Sequence, residues 1–176
     1  MTRHTLILGG ARSGKTAFGE RLALRSGARP VYLATAQTLD SEMRDRVASH
    51  QASRAARFTT IEEPILLSRA ILKAGADHDV ILVDCLTLWI TNLLLGNEDV
   101  ATAVSELCAT LVEFRAAKVV LVSNEVGLGI VPDNAMARTF RDLAGSAHQR
   151  LAEICDDVYF VAAGLPLTLK GDPAGV

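Results

Sequence analysis

The sequence predicts an α/β fold, a mostly parallel sheet sandwiched by helices, from three observations. Apolar runs of strand length alternate with helical periodicity almost from end to end. Those runs are apolar throughout rather than at every second residue, as in strands buried on both faces of a parallel sheet. A glycine-rich stretch joins the first run to the first amphipathic segment. In chain order the expected strands are TLIL (5–8), VYLAT (31–35), VILVD (80–84), KVVLVS (118–123) and DVYFVA (157–162). The first helix is expected over 15–26, closed by Gly27 where a left-handed glycine commonly ends a helix. SEMRDRVASHQASR (41–54) reads as a polar helix, and LTLWITNLLLG (86–96), hydrophobic nearly all round, fits a helix buried in the core or at a subunit contact. The last helix is expected over 133–154, behind Pro132, with Met136, Phe140, Leu143, Ala147, Leu151 and Ile154 along one face. Residues 171–176 read as a frayed tail.

A chain of 176 residues, 49% hydrophobic, can bury one sizeable core, so a single domain over 1–176 is expected. Lysine and arginine number 18 and aspartate and glutamate 20, a net charge of −2. That balance, with no aromatic and basic stripe, argues against nucleic acid as a partner and leaves room for a small anionic substrate. Cys85, Cys108 and Cys155 are odd in number and widely spaced, unlike a disulfide framework or a zinc site. The first strand begins within four residues of the N-terminus, without a signal-peptide pattern, and no apolar run reaches membrane-spanning length. A cytoplasmic protein is the default expectation.

The sharpest chemical signal is LILGGARSGKT, in which Gly9, Gly10, Ala11, Arg12, Ser13, Gly14, Lys15 and Thr16 spell G-x-x-x-x-G-K-[ST] between a strand and a helix. This is the phosphate loop of P-loop NTPase-type folds. Its glycines let successive N–H groups and the helix N-terminus face phosphate oxygens. Lys15 is expected to reach the β and γ phosphates, and the Thr16 hydroxyl to ligate Mg²⁺. Asp84, closing VILVD, is the candidate carboxylate beside that metal; its other role would be a helix N-cap. Glu125, in the loop VSNEVGLGIVP (122–132), lies just beyond a strand's C-terminal end, where open α/β sheets bind ligands. Thr35 ends its strand on the same rim, where its hydroxyl could serve a nucleotide or satisfy backbone. These residues admit a phosphotransferase and, from another class, a nucleotide-dependent switch acting through a partner.

His50 is open on its own stretch. Arg46, His50 and Arg54 share one helical stripe, with Met43 and Val47 close by, so packing, surface and nucleophilic roles all fit.

Five blocks, GGARSGKT, YLATAQTLDSEMRDRVASHQASR, VDCLTLWITNLL, VSNEVGLGIVP and ARTFRDLAGSAHQRLA, together resemble the adenosylcobinamide kinase / adenosylcobinamide-phosphate guanylyltransferase family of cobalamin biosynthesis. They occur in the family's order over nearly the whole chain. The resemblance implies a recombinase-like fold and a homo-oligomer, usually a trimer. It implies two reactions: phosphorylation of the aminopropanol hydroxyl of adenosylcobinamide by ATP or GTP, then transfer of GMP from GTP onto that phosphate through a guanylylated histidine. The family's R-[IV]-x-x-H-x-x-x-R pattern falls on Arg46, Val47, His50 and Arg54, which makes His50 the implied GMP carrier and the two arginines candidate triphosphate contacts. Some members have two adjacent histidines here, whereas this chain has Ser49 before His50. His4, His78 and His148 are weaker candidates, and His148, where the family commonly has Asn, is expected to be a satisfied structural residue. Asp84 and Glu125 are candidates for metal or base in the kinase step, and Arg138 and Arg141 for either phosphate contacts or a solvated helix face. A P-loop kinase lacking guanylyl transfer is the alternative within the same class.

Overall fold

A computed structural model of the chain describes residues 3–37 and 57–173. The polar helix expected over 41–54, with Arg46, His50 and Arg54, lies outside them, as do residues 174–176. The elements run β1 (Thr5–Gly9), α1 (Lys15–Ser26), β2 (Pro30–Ala34), β3 (Thr59–Glu62), α2 (Leu67–Ala74), β4 (Val80–Asp84), α3 (Leu86–Leu95), α4 (Val100–Glu113), β5 (Lys118–Asn124), α5 (Ala135–Ile154), β6 (Asp157–Ala162) and β7 (Leu165–Lys170).

The strands form one seven-stranded sheet in the order β3-β2-β4-β5-β1-β6-β7. All neighbours are parallel except β6 and β7, which form an antiparallel hairpin. The apolar runs lie at the centre because both of their faces are covered. Leu6, Leu8, Val31, Leu33, Ile81, Val83, Val119 and Leu121 point into a core shared with α2, α3, α4 and α5. Their alternating neighbours Ile7, Tyr32, Val80, Leu82, Val120 and Val122 pack on the other face with Phe18 and Ala23 of α1 and with Phe58. A period of two thus feeds two cores, so both sets of side chains are predominantly apolar.

Several sequence expectations change in detail. Gly27 is extended (φ −165°), not left-handed. A Cβ there would come within 2.4 Å of an Asp79 carboxylate oxygen, so the glycine admits the carboxylate that accepts from the N–H groups of Ala28 and Arg29. α5 starts at Ala135 with Asn134 as its N-cap, and Met136, expected on the buried face, is exposed. Residues 171–173 are anchored rather than frayed: Arg3 pairs with Asp172 at 2.7 Å, and the Asp172 carbonyl accepts from the Tyr159 hydroxyl at 3.0 Å. Among the described residues no helix is long and apolar enough to cross a membrane.

Candidate active site

The C-terminal ends of the parallel strands meet on one rim. Register pairs Ala34 with Asp84, Asp84 with Val122, and Gly9 with Asn124. The chain order of the sheet therefore lines up Thr35, Asp84, Glu125 and the loop beginning at Gly9 along one edge, where ligands of open α/β sheets bind.

The phosphate loop is built from backbone. Gly14 has φ 93° and caps α1 without a side chain, so the helix's first N–H groups remain directed at the loop. Arg12 also has positive φ (55°) and is exposed. Gly9 is required by contact: a Cβ would lie 2.5 Å from the Val161 carbonyl oxygen and 2.6 Å from Ser13 Oγ. The Ser13 N–H reaches the Gly10 carbonyl at 3.3 Å, and Ala11 lies exposed between them. The loop is propped from outside by the β6–β7 turn, where Ala163 and Gly164 both have positive φ and the Gly164 N–H donates to the Ser13 carbonyl at 2.8 Å. Ser13 Oγ is buried and has no hydrogen-bond partner among the described residues.

Lys15 is 8% exposed, and its Nζ donates back to the Gly10 carbonyl at 3.0 Å, across the mouth of the loop. Thr16 Oγ1 donates to Asp84 Oδ2 at 3.1 Å, and the Tyr32 hydroxyl donates to the same oxygen at 2.5 Å. Cys85, not Asp84, occupies the N-cap of α3 and makes no side-chain cap, so the Asp84 carboxylate is directed to Thr16 instead. Of the two roles open to Thr35, backbone satisfaction is the one its bonds make. Fully buried, it donates through Oγ1 to the Cys85 carbonyl at 2.7 Å and accepts from the Cys85 N–H at 2.9 Å. Burial pushes the Cys85 thiol up to about 11, which keeps it protonated beside Asp84.

Glu125 joins the rim because its N–H donates to the Gly9 carbonyl at 2.9 Å. Its Oε1 accepts from the Gly127 N–H, and a Cβ at Gly127 would lie 2.9 Å from that oxygen. Its Oε2 is 3.7 Å from His148 Nδ1. His148 is therefore not the fully satisfied structural histidine expected: Nε2 meets Ser123 Oγ at 2.8 Å, but buried Nδ1 has no hydrogen-bond partner among the described residues. Burial lowers its pKa, and the Glu125 charge acts in the opposite direction. No sequence motif marks this pair; only a histidine on the inner face of α5 hinted at it. Arg138 donates to the carbonyls of Pro132 and Asp133, clamping the loop before α5, and Arg141 pairs with Asp142.

A family model described as cobinamide kinase / cobinamide phosphate guanyltransferase matches residues 5–169. A Pseudomonas aeruginosa protein named bifunctional adenosylcobalamin biosynthesis protein CobP is 46% identical, with 96% of this chain and 98% of that protein covered. A Salmonella typhimurium protein named bifunctional adenosylcobalamin biosynthesis protein CobU is 40% identical, with 94% and 98% covered. Among solved structures, a type III secretion system ATPase superposes with a TM-score of 0.51 at 13% identity, covering 94% of this chain and 56% of that one. At that identity the likeness concerns the fold, which is of the P-loop NTPase type.

Proposed function

Because the chain belongs to the cobinamide kinase / cobinamide phosphate guanyltransferase family, matched from residue 5 to 169, we propose that its rim carries out both of the family's transfers. In the first, ATP or GTP phosphorylates the aminopropanol hydroxyl of adenosylcobinamide. In the second, GMP passes from GTP to the new phosphate. The observation that carries this proposal is near-full-length similarity, at 46% identity, to a protein named as bifunctional, in a chain whose phosphate loop is complete.

The chain's own residues divide the work as follows. Gly9, Gly10, Ala11, Arg12, Ser13 and Gly14 present backbone N–H groups to the triphosphate, and Lys15 leaves the Gly10 carbonyl for the β and γ phosphates. Glu125 orients the substrate hydroxyl for in-line attack on the γ phosphorus and takes its proton. In the second transfer an imidazole nitrogen of His50 attacks the α phosphorus, the bond to the bridging oxygen breaks, and pyrophosphate leaves into the loop. A phosphate oxygen of the corrinoid side arm then attacks the same phosphorus, and the P–N bond breaks to free His50. Two displacements replace one difficult step. Arg46 and Arg54, on the same stretch of sequence as His50, would neutralise the triphosphate.

The donor set fits Mg²⁺. Thr16 Oγ1 and Asp84 Oδ2 are hard oxygen ligands at the foot of the loop, and among the described residues no three His, Cys, Asp or Glu side chains converge to form a self-sufficient cage. That suits a cation that keeps water and substrate phosphate in its shell. When bound, it would offset phosphate charge during transfer. Thr35 supports this arrangement from beneath by fixing the backbone at Cys85.

The proposal extends to a homo-oligomer, a trimer by family expectation. Leu94, Leu95, Met136 and Phe140 line an apolar groove, and Leu128 and Ile130 in the loop before α5 are largely exposed, apolar surface that a second copy would cover. A cytoplasmic location accords with three buried, unpaired cysteines.

The test is incubation of the full chain with Mg²⁺ and GTP labelled at the α phosphate, followed by denaturation, beside His50→Ala. Acid-labile, base-stable label on the wild type and none on the variant is expected. Absence of label despite measured GTP binding would remove the histidine intermediate. Gel filtration of the same preparation reads the oligomer, and a monomer would reject the trimer.

A further inference from the structure

Behind Glu125 lies a polar chain that the two transfers do not use. The backbone N–H of Asn124 donates to Thr87 Oγ1 at 2.7 Å, Thr87 Oγ1 lies 3.3 Å from Ser123 Oγ, and Ser123 Oγ lies 2.8 Å from His148 Nε2. On the far side of the ring, Nδ1 faces Glu125 Oε2 at 3.7 Å. The chain starts from a donor that cannot be reversed, because a peptide N–H can only donate. Thr87 Oγ1 accepts it, and an arrangement in which Thr87 donates to Ser123 Oγ and Ser123 to Nε2 satisfies each member of the chain.

A neutral ring that accepts at Nε2 carries its proton on Nδ1, toward the carboxylate. In the opposite tautomer a bare Nδ1 lone pair would face a carboxylate oxygen in a buried setting, two acceptors with no proton between them. Glu125 is the only charged group acting on the ring among the described residues; Ser123 and Thr87, which touch it or its partner, do not titrate near neutrality.

We propose that His148 is a positioning residue for Glu125: with Ser123 Oγ donating to Nε2, its Nδ1–H faces the carboxylate and holds Oε2 while the Gly127 N–H holds Oε1. The carboxylate is thereby fixed from both sides at the rim beside Gly9. At 3.7 Å the pair is an ion-pair-range contact rather than a hydrogen bond, and it shortens to one as the carboxylate settles over substrate, as catalytic contacts do between resting and reacting enzyme. Surrounding hydrogen bonds of this kind orient the groups that do chemistry.

Two measurements test the proposal, which rests on Glu125 serving phosphoryl transfer. Long-range imidazole ¹H–¹⁵N correlation on the wild-type full chain is expected to report His148 as the Nδ1–H tautomer, with the Nδ1 resonance moving in Glu125→Ala. An Nε2–H tautomer overturns the proposal, and this arm requires no variant of His148. Kinetically, Glu125→Gln is expected to lower kcat for phosphorylation about 100-fold, and His148→Gln about 10-fold, with the nucleotide KM within about twofold. The double variant should match Glu125→Gln alone, since His148 acts only through Glu125. Full activity in Glu125→Gln would reject the role given to Glu125, while the tautomer would still report the contact. Loss in Glu125→Gln with full activity in His148→Gln would reject the positioning role alone.

Discussion

Lys15 is the charged side chain most deeply set in the rim, and among the described residues its hydrogen bond is to the loop it serves. The ammonium lies across the space a phosphate would enter, so nucleotide binding exchanges a carbonyl oxygen for anionic ones. That exchange strengthens as charge builds on the transferring phosphoryl group, which places the benefit in the transition state. Lys15→Ala is expected to lower kcat for phosphorylation by about 10²–10³-fold, the scale of a lost charge-stabilising donor. Steady-state kinetics beside circular dichroism checks it, and a variant that keeps wild-type kcat would assign the lysine to loop packing. Glycines and the lysine of this loop were legible in the sequence because the work is done by backbone whose shape only certain residues permit. Thr35 was not, since a strand-end hydroxyl serves whichever polar groups the fold brings near. Here those belong to Cys85, 50 residues away. His148 escaped for the same reason: the groups it faces, Ser123 and Glu125, come from β5 and the loop that follows it.

The long helix α5 carries that histidine, and its register depends on how it begins. Asn134 Oδ1 accepts from the Ala137 N–H at 3.1 Å, and Arg138 holds the two preceding carbonyls. Asn134→Ala should cost about 1 kcal/mol of stability, the usual loss for an N-cap, read as a lower urea midpoint at unchanged slope. Asn134→Asp should keep most of it; equal losses in both would mean that the cap is not what fixes the start. Elements of this kind were less legible than the central strands. β3 (TTIE) is a short edge strand with two exposed threonine and glutamate ends, too polar and brief to stand out. β7 (LPLTLK) alternates with its leucines on the exposed side, and it contains Pro166, which its place at the sheet edge tolerates. α4 did carry a start signal, Asp99 three residues before Thr102, and the structure uses it as a cap. The five central strands were readable because burial on both faces forces a composition that no other element of their length requires.

At the scale of the whole molecule, two buried histidines stand on different parts of the sheet, one behind the rim and one beneath it. His4 precedes β1 at the strand's N-terminal end. Its Nδ1 accepts from the Val119 N–H at 3.1 Å, and its Nε2 faces the carbonyls of Leu111 and Phe114 at 3.1 and 3.2 Å. These bonds tie β1, α4 and β5 together and are complete only with a neutral ring. A second proton would sit on Nδ1 against a peptide N–H that can only donate. Burial lowers the pKa of His4, outweighing the two carbonyls that would raise it, and burial lowers that of His148 against the Glu125 charge. Both groups therefore bind protons less readily folded than unfolded, where the ordinary value is 6.5. Their contribution to stability is full above that value and is lost as the pH falls below it toward the folded-state pKa. Asp99, held below the ordinary carboxylate value of 3.8 by Thr102, acts in a more acidic range, so the first loss belongs to the histidines. Urea midpoints are expected to fall between about pH 7 and pH 5. In His4→Gln, which has no titrating ring at this junction, the fall over the same window should be shallower even though the variant starts from lower stability. A wild-type midpoint that holds steady or rises on acidification would mean that these rings accept a proton in place, and that the junction beneath β1 is held by packing rather than by a neutral imidazole.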